Sequence, residues 1–261
     1  MQVWKDIYNY RELLKTNIKK DIRGKYKGSF LGILWSFLNP LLQVMVYWIV
    51  FPFIMGRAGA VDNYLCYLVT GIIPWTFFTT VVNAGTVSMI NNSGIIKKVY
   101  FPREVLLISQ VCSGIINFFI SCIIVVIFCV GTGAGISYHL ICLPIIAIIE
   151  AILSLGIIFI LSAIEVYVQD IEYVVGFLLN MGFYAAPILY QMNVLDGAGI
   201  LQKLISLNPF TVLISAYRDI FMYHEWPDVS GLAAVFCLAL VILLIGYFVF
   251  KKLEKGFAEK L

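Results

Sequence analysis

The chain has little charge for its length. Only 13% of its 261 residues are charged, whereas 61% are hydrophobic, and the mean hydropathy is +0.94. A soluble globule of this composition would have too few polar residues to cover its surface. The composition therefore excludes a soluble domain and predicts an integral membrane protein. Since a helical crossing takes roughly 20 apolar residues, the chain can make about six crossings and little else.

Motifs that would support chemistry are also missing. The sequence has no H-E-x-x-H pair for zinc, no nucleophile turn of the G-x-S-x-G type and no cluster of aspartates for magnesium. These absences argue against a membrane enzyme and against a metal or cofactor on this chain. The nucleotide-binding sequence G-x-x-x-x-G-K-[ST] is absent as well, because the one Gly-Lys pair, Gly24-Lys25, is followed by Tyr26. If ATP drives this protein, we expect another polypeptide to bind it.

Cysteine is present without a recognisable framework. The six cysteines lie inside apolar runs and show no C-x-x-C spacing. We therefore expect them to be small hydrophobic residues rather than disulfides or metal ligands. They are Cys66, Cys112, Cys122, Cys129, Cys142 and Cys237.

Positive charge is concentrated in three short segments. Fifteen of the eighteen Lys and Arg residues fall there: eight before Ser29, three between residues 97 and 103, and four after Phe250. Such clustering is what the positive-inside bias produces. It predicts that both termini and the segment near residue 97 face the cytoplasm. The membrane accounts for the basic charge, and we expect no nucleic-acid partner.

The apolar runs predict an all-α integral membrane fold with six transmembrane helices in a single domain, residues 1–261. Residues 1–30 predict an amphipathic helix lying in the lipid headgroup layer. The spans are predicted at residues 33–54, 64–90, 105–130, 140–168, 173–189 and 231–250, with a cytoplasmic tail at 251–261. Residues 190–228 are too polar for a plain crossing. Their two apolar pieces, split by Asn208-Pro209, predict two short helices that dip back from the outer face.

The cytoplasmic segment between spans two and three mixes aromatic residues with cations. Such a mixture is typical of a docking surface for a partner protein. The candidate residues are Ile95, Lys97, Lys98, Tyr100, Phe101, Pro102, Arg103 and Glu104.

Aromatic residues make up 15% of the chain and gather at span ends. The simpler interpretation is the interfacial belt of any membrane protein. The alternative is a passage whose flat rings lie against the apolar faces of sugars. Candidates for such a lining are Trp35, Trp75, Phe77, Phe78, Tyr184 and Tyr190. Glu150, inside the predicted span four, is a further candidate because a lone carboxylate is costly to bury in a membrane. For Glu165, near the cytoplasmic end of that span, the depth favours a snorkelling or interfacial role.

Several segments, in order, resemble a known family. They are Lys20 to Trp35 (KDIRGKYKGSFLGILW), Asn39-Pro40-Leu41, Gly71 to Phe78 (GIIPWTFF), Ile95 to Glu104 (IIKKVYFPRE), and Leu207 to Thr211 (LNPFT) with Tyr217-Arg218. Together they resemble the membrane-spanning subunits of ABC-2-type polysaccharide exporters, which carry O-antigen, capsular or teichoic acid polymers. The resemblance covers essentially the whole chain.

The resemblance implies a homodimer of this chain bound to two copies of an ABC ATPase subunit, which would hold the ATP and Mg. It implies outward movement of an undecaprenyl-diphosphate-linked glycan across the bacterial plasma membrane, through a channel between protomers. By the same similarity, the segment from Asn91 to Glu104 would contain the coupling helix, and the re-entrant helices would shape the outer exit. Arg23, Lys25 and Lys27 would attract the lipid diphosphate, although they could instead only set topology and bind anionic lipid.

Other functions remain open from the sequence. An ABC-2-type exporter of another lipid or a small amphipathic molecule would have similar features. A membrane-embedded glycolipid-modifying enzyme would need ionisable residues that converge in one cavity, and a channel or scaffold would need no ATPase. A neighbouring reading frame that encodes an ATPase with a nucleotide-binding motif would favour the exporter.

Overall fold

A computed structural model describes residues 10–24, 34–55, 63–99, 101–192 and 199–261. The regular elements within these ranges are helices, which confirms the predicted all-α class for them. The helices are α1 (Arg11–Gly24), α2 (Leu34–Met55), α3 (Tyr64–Thr86), α4 (Ser88–Asn91), α5 (Ser93–Ile96), α6 (Glu104–Gly131), α7 (Leu143–Glu165), α8 (Ile171–Ala185), α9 (Ile200–Ser206), α10 (Pro209–Arg218), α11 (Val229–Leu253) and α12 (Phe257–Lys260). Short turns of 3₁₀ helix, at Tyr138–Cys142 and Glu254–Gly256, precede α7 and α12, and a π turn at Asp219–Tyr223 follows α10.

Four helical stretches are long and apolar enough to cross a membrane: Tyr64–Thr86, Glu104–Gly131, Tyr138–Glu165 and Val229–Gly256. They coincide with the predicted spans two, three, four and six, although spans two and four end four and three residues earlier than predicted, and they support a multi-pass membrane protein. The predicted spans one and five fall on α2 and α8. The 15 residues of α8 would reach only about 22 Å, short of a hydrocarbon core of roughly 30 Å. The count of six crossings therefore stays a prediction.

The span helices differ greatly in how far the rest of the chain covers them. In the most apolar stretch of α3, 78% of the residues are buried, against 22% in α11. Helix α3 is therefore central and contacts α2, α6, α7 and α8, whereas α11 lies at the edge and packs chiefly on α7. The exposed apolar side chains of α11 are free to face lipid.

Glycines set the close packing of α7 on α11. A Cβ atom added at Gly156 of α7 would lie 2.6 Å from the backbone nitrogen of Leu243, and one added at Gly246 of α11 would overlap the Gly156 carbonyl oxygen. The two backbones can approach this closely only because both positions lack a side chain.

The ends of the outer helices have local causes. Helix α8 stops at Ala185 because Ala186, which precedes Pro187, is extended, as a residue before proline prefers. Asn208 caps α10: its Oδ1 accepts a hydrogen bond from the Phe210 amide at 3.0 Å, and Pro209 fills the first helical position. Helix α11 begins at Val229, two residues before the predicted start of span six, because Asp228 accepts a hydrogen bond from the Ser230 amide.

The described part of the predicted amphipathic segment is α1, which packs on α6. Lys20 donates a hydrogen bond to Asn92 at 3.2 Å, and Asp21 accepts one from Gln110 of α6 at 3.0 Å. Burial raises the pKa of Asp21, partly offset by Lys20. Helix α1 is thus attached by polar bonds to the start of α6 and to the turn between α4 and α5.

Candidate functional site

Residues 88–103, between α3 and α6, are called the coupling segment after the role predicted for them. Their described part, 88–99 and 101–103, contains the two short helices α4 and α5 followed by a turn. Ile95, Lys97 and Lys98 project outward from it, together with Val99. Phe101, in contrast, is buried in the core. Three of the predicted docking residues therefore face outward, where a partner could reach them. Tyr100 lies outside the described residues.

The remaining docking candidates connect the coupling segment to the end of α11. Glu104 is buried and forms an ion pair with Lys251, which also donates a hydrogen bond to Glu254 at 3.0 Å. Arg103 donates to the Glu254 carbonyl oxygen at 2.5 Å and lies over the Phe257 ring, 5.5 Å from its centroid.

This arrangement makes one network of the start of α6 and the end of α11. Pro102, between the two parts of the predicted surface, is half-buried. An open cleft of about 880 Å³ runs between the coupling segment and the tail. It is lined by Tyr10, Ile96, Lys97, Lys98, Val99, Phe101, Pro102, Arg103, Lys251, Glu254 and Lys255.

The structure separates the predicted lining aromatics into two groups. Trp75, Phe77 and Phe78 of α3 are buried within the protomer. The Phe210 ring packs against Trp75 at 5.1 Å and against Phe78 at 4.2 Å between centroids. Phe77 packs on Phe118 of α6 at 5.1 Å. Phe77 lines a cavity between α3 and α6, whereas a lining role for Trp75 and Phe78 would require the helices that cover them to move. The lining role of all three rings stays a prediction.

The other three aromatic candidates are accessible. Trp35 is at the start of α2 and Tyr184 near the end of α8, and both are exposed. Tyr190 is half-buried and donates a hydrogen bond from its hydroxyl to the Tyr184 carbonyl oxygen at 3.0 Å. These rings could contact a substrate without rearrangement of the protomer.

Arg218 holds the chain that follows α8. The first two carbonyls of the segment Pro187–Tyr190 accept hydrogen bonds from its Nη1 and Nη2, at 2.7 and 3.0 Å. The hydroxyls of Tyr64 and Tyr67 donate to the third and fourth carbonyls, at 3.1 and 2.6 Å. The guanidinium lies 3.4 Å above the Tyr67 ring centroid. Three side chains thus fix four consecutive carbonyls, an arrangement for which we saw no sequence signal.

Both intramembrane carboxylates have partners. Glu150 of α7 is fully buried and accepts a hydrogen bond from the Tyr217 hydroxyl at 2.8 Å, while its other oxygen has no partner among the described residues. Glu165, at the end of α7, accepts a bond from the Glu172 amide at 2.9 Å. It therefore sits at the start of α8, where the helix dipole favours an anion. Glu150 connects α7 to α10, and Glu165 connects α7 to α8.

A polar groove runs between α3 and α6. Its polar walls are Thr76 and Thr80 of α3 and Gln110, Asn117 and Ser121 of α6. The residues from Gln110 to Ser121 span about 16 Å along the helix axis. Two neighbouring cavities, of about 130 and 340 Å³, share this lining. The groove begins beside α1 and reaches toward the middle of the spans.

The two ends of the polar groove differ in character. Trp35 and Asn39 of α2 line the deeper cavity, and Lys20 and Asp21 of α1 line the outer one. The Asn117 amide has no hydrogen-bond partner among the described residues, although it lies within a span. An unpaired amide that faced lipid would be costly. Gln110, Asn117 and Ser121 are spaced so that they share one face of an otherwise apolar helix, and this spacing is the sequence signal for the groove.

Neither a diphosphate-binding site nor a metal site can be located in the described part of the chain. The predicted diphosphate-attracting residues, Arg23, Lys25 and Lys27, have side chains outside the described part of the chain. Across the residues that are described, no three His, Cys, Asp or Glu side chains are grouped to hold a metal ion.

Comparison with known proteins agrees with this architecture. The profile of the ABC-2 type transporter family matches residues 12–222. The chain is 30% identical over 257 residues to the O-antigen export system permease protein RfbA of Myxococcus xanthus, covering 98% of each chain. It is 32% identical over 249 residues to a Klebsiella pneumoniae protein of the same name, covering 95% of this chain and 94% of that one. These matches confirm the resemblance found in the sequence, and the chain belongs to the ABC-2 type transporter family of membrane proteins.

Proposed function

We propose that the chain is the membrane-spanning permease subunit of an ATP-driven exporter that moves a lipid-linked polysaccharide outward across the plasma membrane. It is a transporter subunit rather than an enzyme, as its family indicates. Two relatives over nearly its full length are O-antigen export permeases. An ABC-2 permease works with an ABC ATPase, which would carry the ATP and Mg. The polymer would be an O-antigen or a related surface glycan on an undecaprenyl-diphosphate carrier.

The polar groove is the structural observation that carries the proposal. Hydroxyl and amide side chains line it inside helices that are otherwise apolar, and Trp35 adds an exposed aromatic face at one end. A sugar offers both hydroxyl groups and apolar C–H faces, so amides and an indole suit it. The exporter of another lipid or small amphipathic molecule is the alternative, but a purely apolar substrate would leave Asn117 unpaired.

The proposal includes a six-span topology with both termini in the cytoplasm. The charge clusters support it, as does the end of α11, where Lys251 and Lys252 lie on the same side as the coupling segment. The hydrogen bond from Tyr217 to Glu150 supports re-entry of α10, while re-entry of α9 rests on the sequence pattern alone. Glu150 is seven residues, or about 10 Å, inside α7, so α10 reaches well below its end.

The assembly would contain two copies of this chain and two ATPase subunits, with the glycan channel between the protomers. The exposed Ile95, Lys97 and Lys98 would contact the ATPase. Movement of the coupling segment would then reach α6 through Glu104 and α11 through Lys251. The basic residues Arg23, Lys25 and Lys27 would attract the lipid diphosphate near α1.

The groove is tested with Asn117→Leu in cells that lack the native gene. We expect surface glycan to fall roughly fivefold to tenfold, as the loss of one hydrogen bond predicts, while the lipid-linked glycan accumulates inside. Gln169→Leu, an exposed amide beyond the end of α7, is the matched control. The amount of each variant in the membrane fraction is measured in parallel. Wild-type export by Asn117→Leu would argue against a polar substrate path in this groove.

The ATPase contact is tested by charge reversal of Lys97 and Lys98. We expect the double Glu variant to lose copurification with the ATPase encoded beside it, whereas Lys203→Glu, exposed on the opposite side, retains it. Retained assembly and transport would exclude this surface as the ATPase contact.

The diphosphate-attracting role is tested by charge reversal at Arg23 and Lys25. We expect export to fall while insertion into the membrane stays intact. Unchanged export would leave these residues only a role in setting topology.

A further inference from the structure

Two of the six cysteines meet in the packed interior. Cys66 and Cys129 are free thiols in the structure, with one sulfur donating a hydrogen bond to the other at 2.9 Å, and both side chains are buried. A disulfide bond measures about 2.05 Å between its sulfur atoms, so a shift of less than 1 Å would bring these two to bonding distance. From the sequence all six are expected to be small hydrophobic residues, because they lie in apolar runs without C-x-x-C spacing. Sequence spacing does not show which cysteines meet in the fold.

The pair sits at one end of the two central spans. Cys66 is the third residue of α3, and Cys129 is the third from the end of α6. The coupling segment joins the other ends of the same two helices. On the proposed topology, on which this inference rests, the coupling segment is cytoplasmic and the cysteine pair is near the outer face. Disulfides form and persist on that side of the membrane.

We propose that Cys66 and Cys129 form a disulfide that joins α3 to α6 at their outer ends. Each thiol loses its proton, and the sulfur–sulfur bond forms as two electrons pass to the disulfide of an extracytoplasmic thiol oxidase, which becomes a dithiol. Since neither sulfur is accessible in the folded chain, the bond forms while the helices pack, and burial then protects it from reductants. Cys112, Cys122, Cys142 and Cys237 remain thiols.

The disulfide would hold the outer ends of α3 and α6 together, so that the two helices could move only about that point. With the outer ends of α3 and α6 joined, a displacement of the coupling segment can change the angle between the helices but cannot pull their outer ends apart. The oxidised pair would therefore turn a push from the ATPase into a tilt of both helices together.

The test counts free thiols in the full-length protein. Cells are lysed directly into denaturing detergent with N-ethylmaleimide, and the intact mass of the purified chain is measured before and after reduction. We expect four of the six cysteines to be alkylated before reduction and all six after it, with a peptide map that joins Cys66 to Cys129. Six alkylated cysteines without reduction, or a link between other cysteines, would overturn the proposal.

Control variants separate the presence of the disulfide from effects on folding and on transport. In Cys129→Ser, Cys66 has no partner and should be alkylated, so we expect five alkylated thiols both before and after reduction. If this variant does not accumulate, Cys66→Ser replaces it and should give the same count. Cys122→Ser, seven residues or about two helical turns deeper on α6, is the control: three alkylated thiols before reduction and five after. The count is independent of glycan, so a failure of export with the link present counts against the proposed function alone.

Discussion

At the scale of single residues, the chain is organised by a few polar groups buried at depth. The sequence marks Glu150 as unusual because it lies in an apolar run, but gives no sign that Tyr217, 67 residues later, is its partner. The same holds for Arg218, whose partners are backbone carbonyls. Such contacts depend on how α10 enters between the spans, and local pattern does not encode that.

The Glu150–Tyr217 hydrogen bond can be measured with a double-mutant cycle. We expect Glu150→Leu and Tyr217→Phe each to lower the free energy of unfolding in detergent by about 1–3 kcal/mol, with a coupling of about 1 kcal/mol between them. Glu150→Gln keeps an acceptor for the tyrosine hydroxyl and should stay near wild type. If Gln destabilised the protein as much as Leu, the carboxylate charge rather than the hydrogen bond would matter.

Asp219, in the outer segment, predicts a pH dependence of stability. Partial burial, with Glu225 and Asp228 nearby, raises its pKa from 3.8 to about 6 against the pull of Arg218. The folded chain then binds this proton more tightly than the unfolded chain does. Its contribution to stability therefore declines as pH rises from about 4 to about 6. Solvent screening of this half-exposed group should keep the effect below about 1 kcal/mol.

The measurement compares the free energy of unfolding of the wild type with that of Asp219→Asn across this range. The difference in the free energy of unfolding between the two proteins should change between pH 4 and 6 and stay constant above pH 6. Glu12→Gln in α1 is the control, because the hydrogen bond from Lys15 lowers the pKa of Glu12 below 4.5 and Glu12 does not act on Asp219, so any effect of this variant lies below about pH 4.5. A flat difference for Asp219→Asn would show that its pKa is ordinary.

At the scale of helices, the sequence predicts most of what is described. The apolar runs locate α2, α3, α6, α7, α8 and α11 to within a few residues. Asn208-Pro209 correctly predicts the break between α9 and α10, because an asparagine cap and a first-turn proline act locally. The sequence does not predict which helices pack together. The contacts of α7 with α11 and of α3 with α6 do not follow from hydrophobic periodicity, because these helices are apolar on all sides.

The α7–α11 contact provides a sharp test of packing. Gly156→Ala places a methyl group against the backbone of Leu243, so we expect the free energy of unfolding to fall by about 1–3 kcal/mol. Gly176→Ala, in α8, has open space around the new atom and should be neutral or stabilising by up to about 1 kcal/mol. Chemical unfolding in one detergent compares the two. Equal effects would mean that α7 and α11 do not touch at Gly156.

At the scale of the whole molecule, the family and the membrane location follow from the sequence, whereas the polar groove does not. Grouping Thr76, Thr80 and Asn117 requires knowing that α3 faces α6. The predicted aromatic lining, which stays untested, shows the same limit: Trp75, Phe77 and Phe78 are all buried, and only the packing of α3 on α6 shows that Phe77 borders the polar groove. The composition of a helix shows whether it lies in the membrane, but only the packed structure shows which helix lies beside it.

The stoichiometry of the assembly is the remaining prediction. Exposed apolar faces on α2, α8 and α11 can be covered by lipid or by a second copy, so exposure alone does not decide between them. We expect native mass spectrometry of the complex with its ATPase to give two copies of each subunit. A complex with one permease copy would exclude a channel between protomers.

The ion pair of Glu104 with Lys251 has a practical consequence for handling the protein. Leu261 is only ten residues beyond Lys251, and the intervening α12 is anchored by the buried ring of Phe257. A fluorescent protein or purification handle placed shortly after Phe257 would therefore put a load on the ion-paired joint between the start of α6 and the end of α11. Reporters inserted at the tight turn around Gly133, on the far side, would leave that joint unloaded.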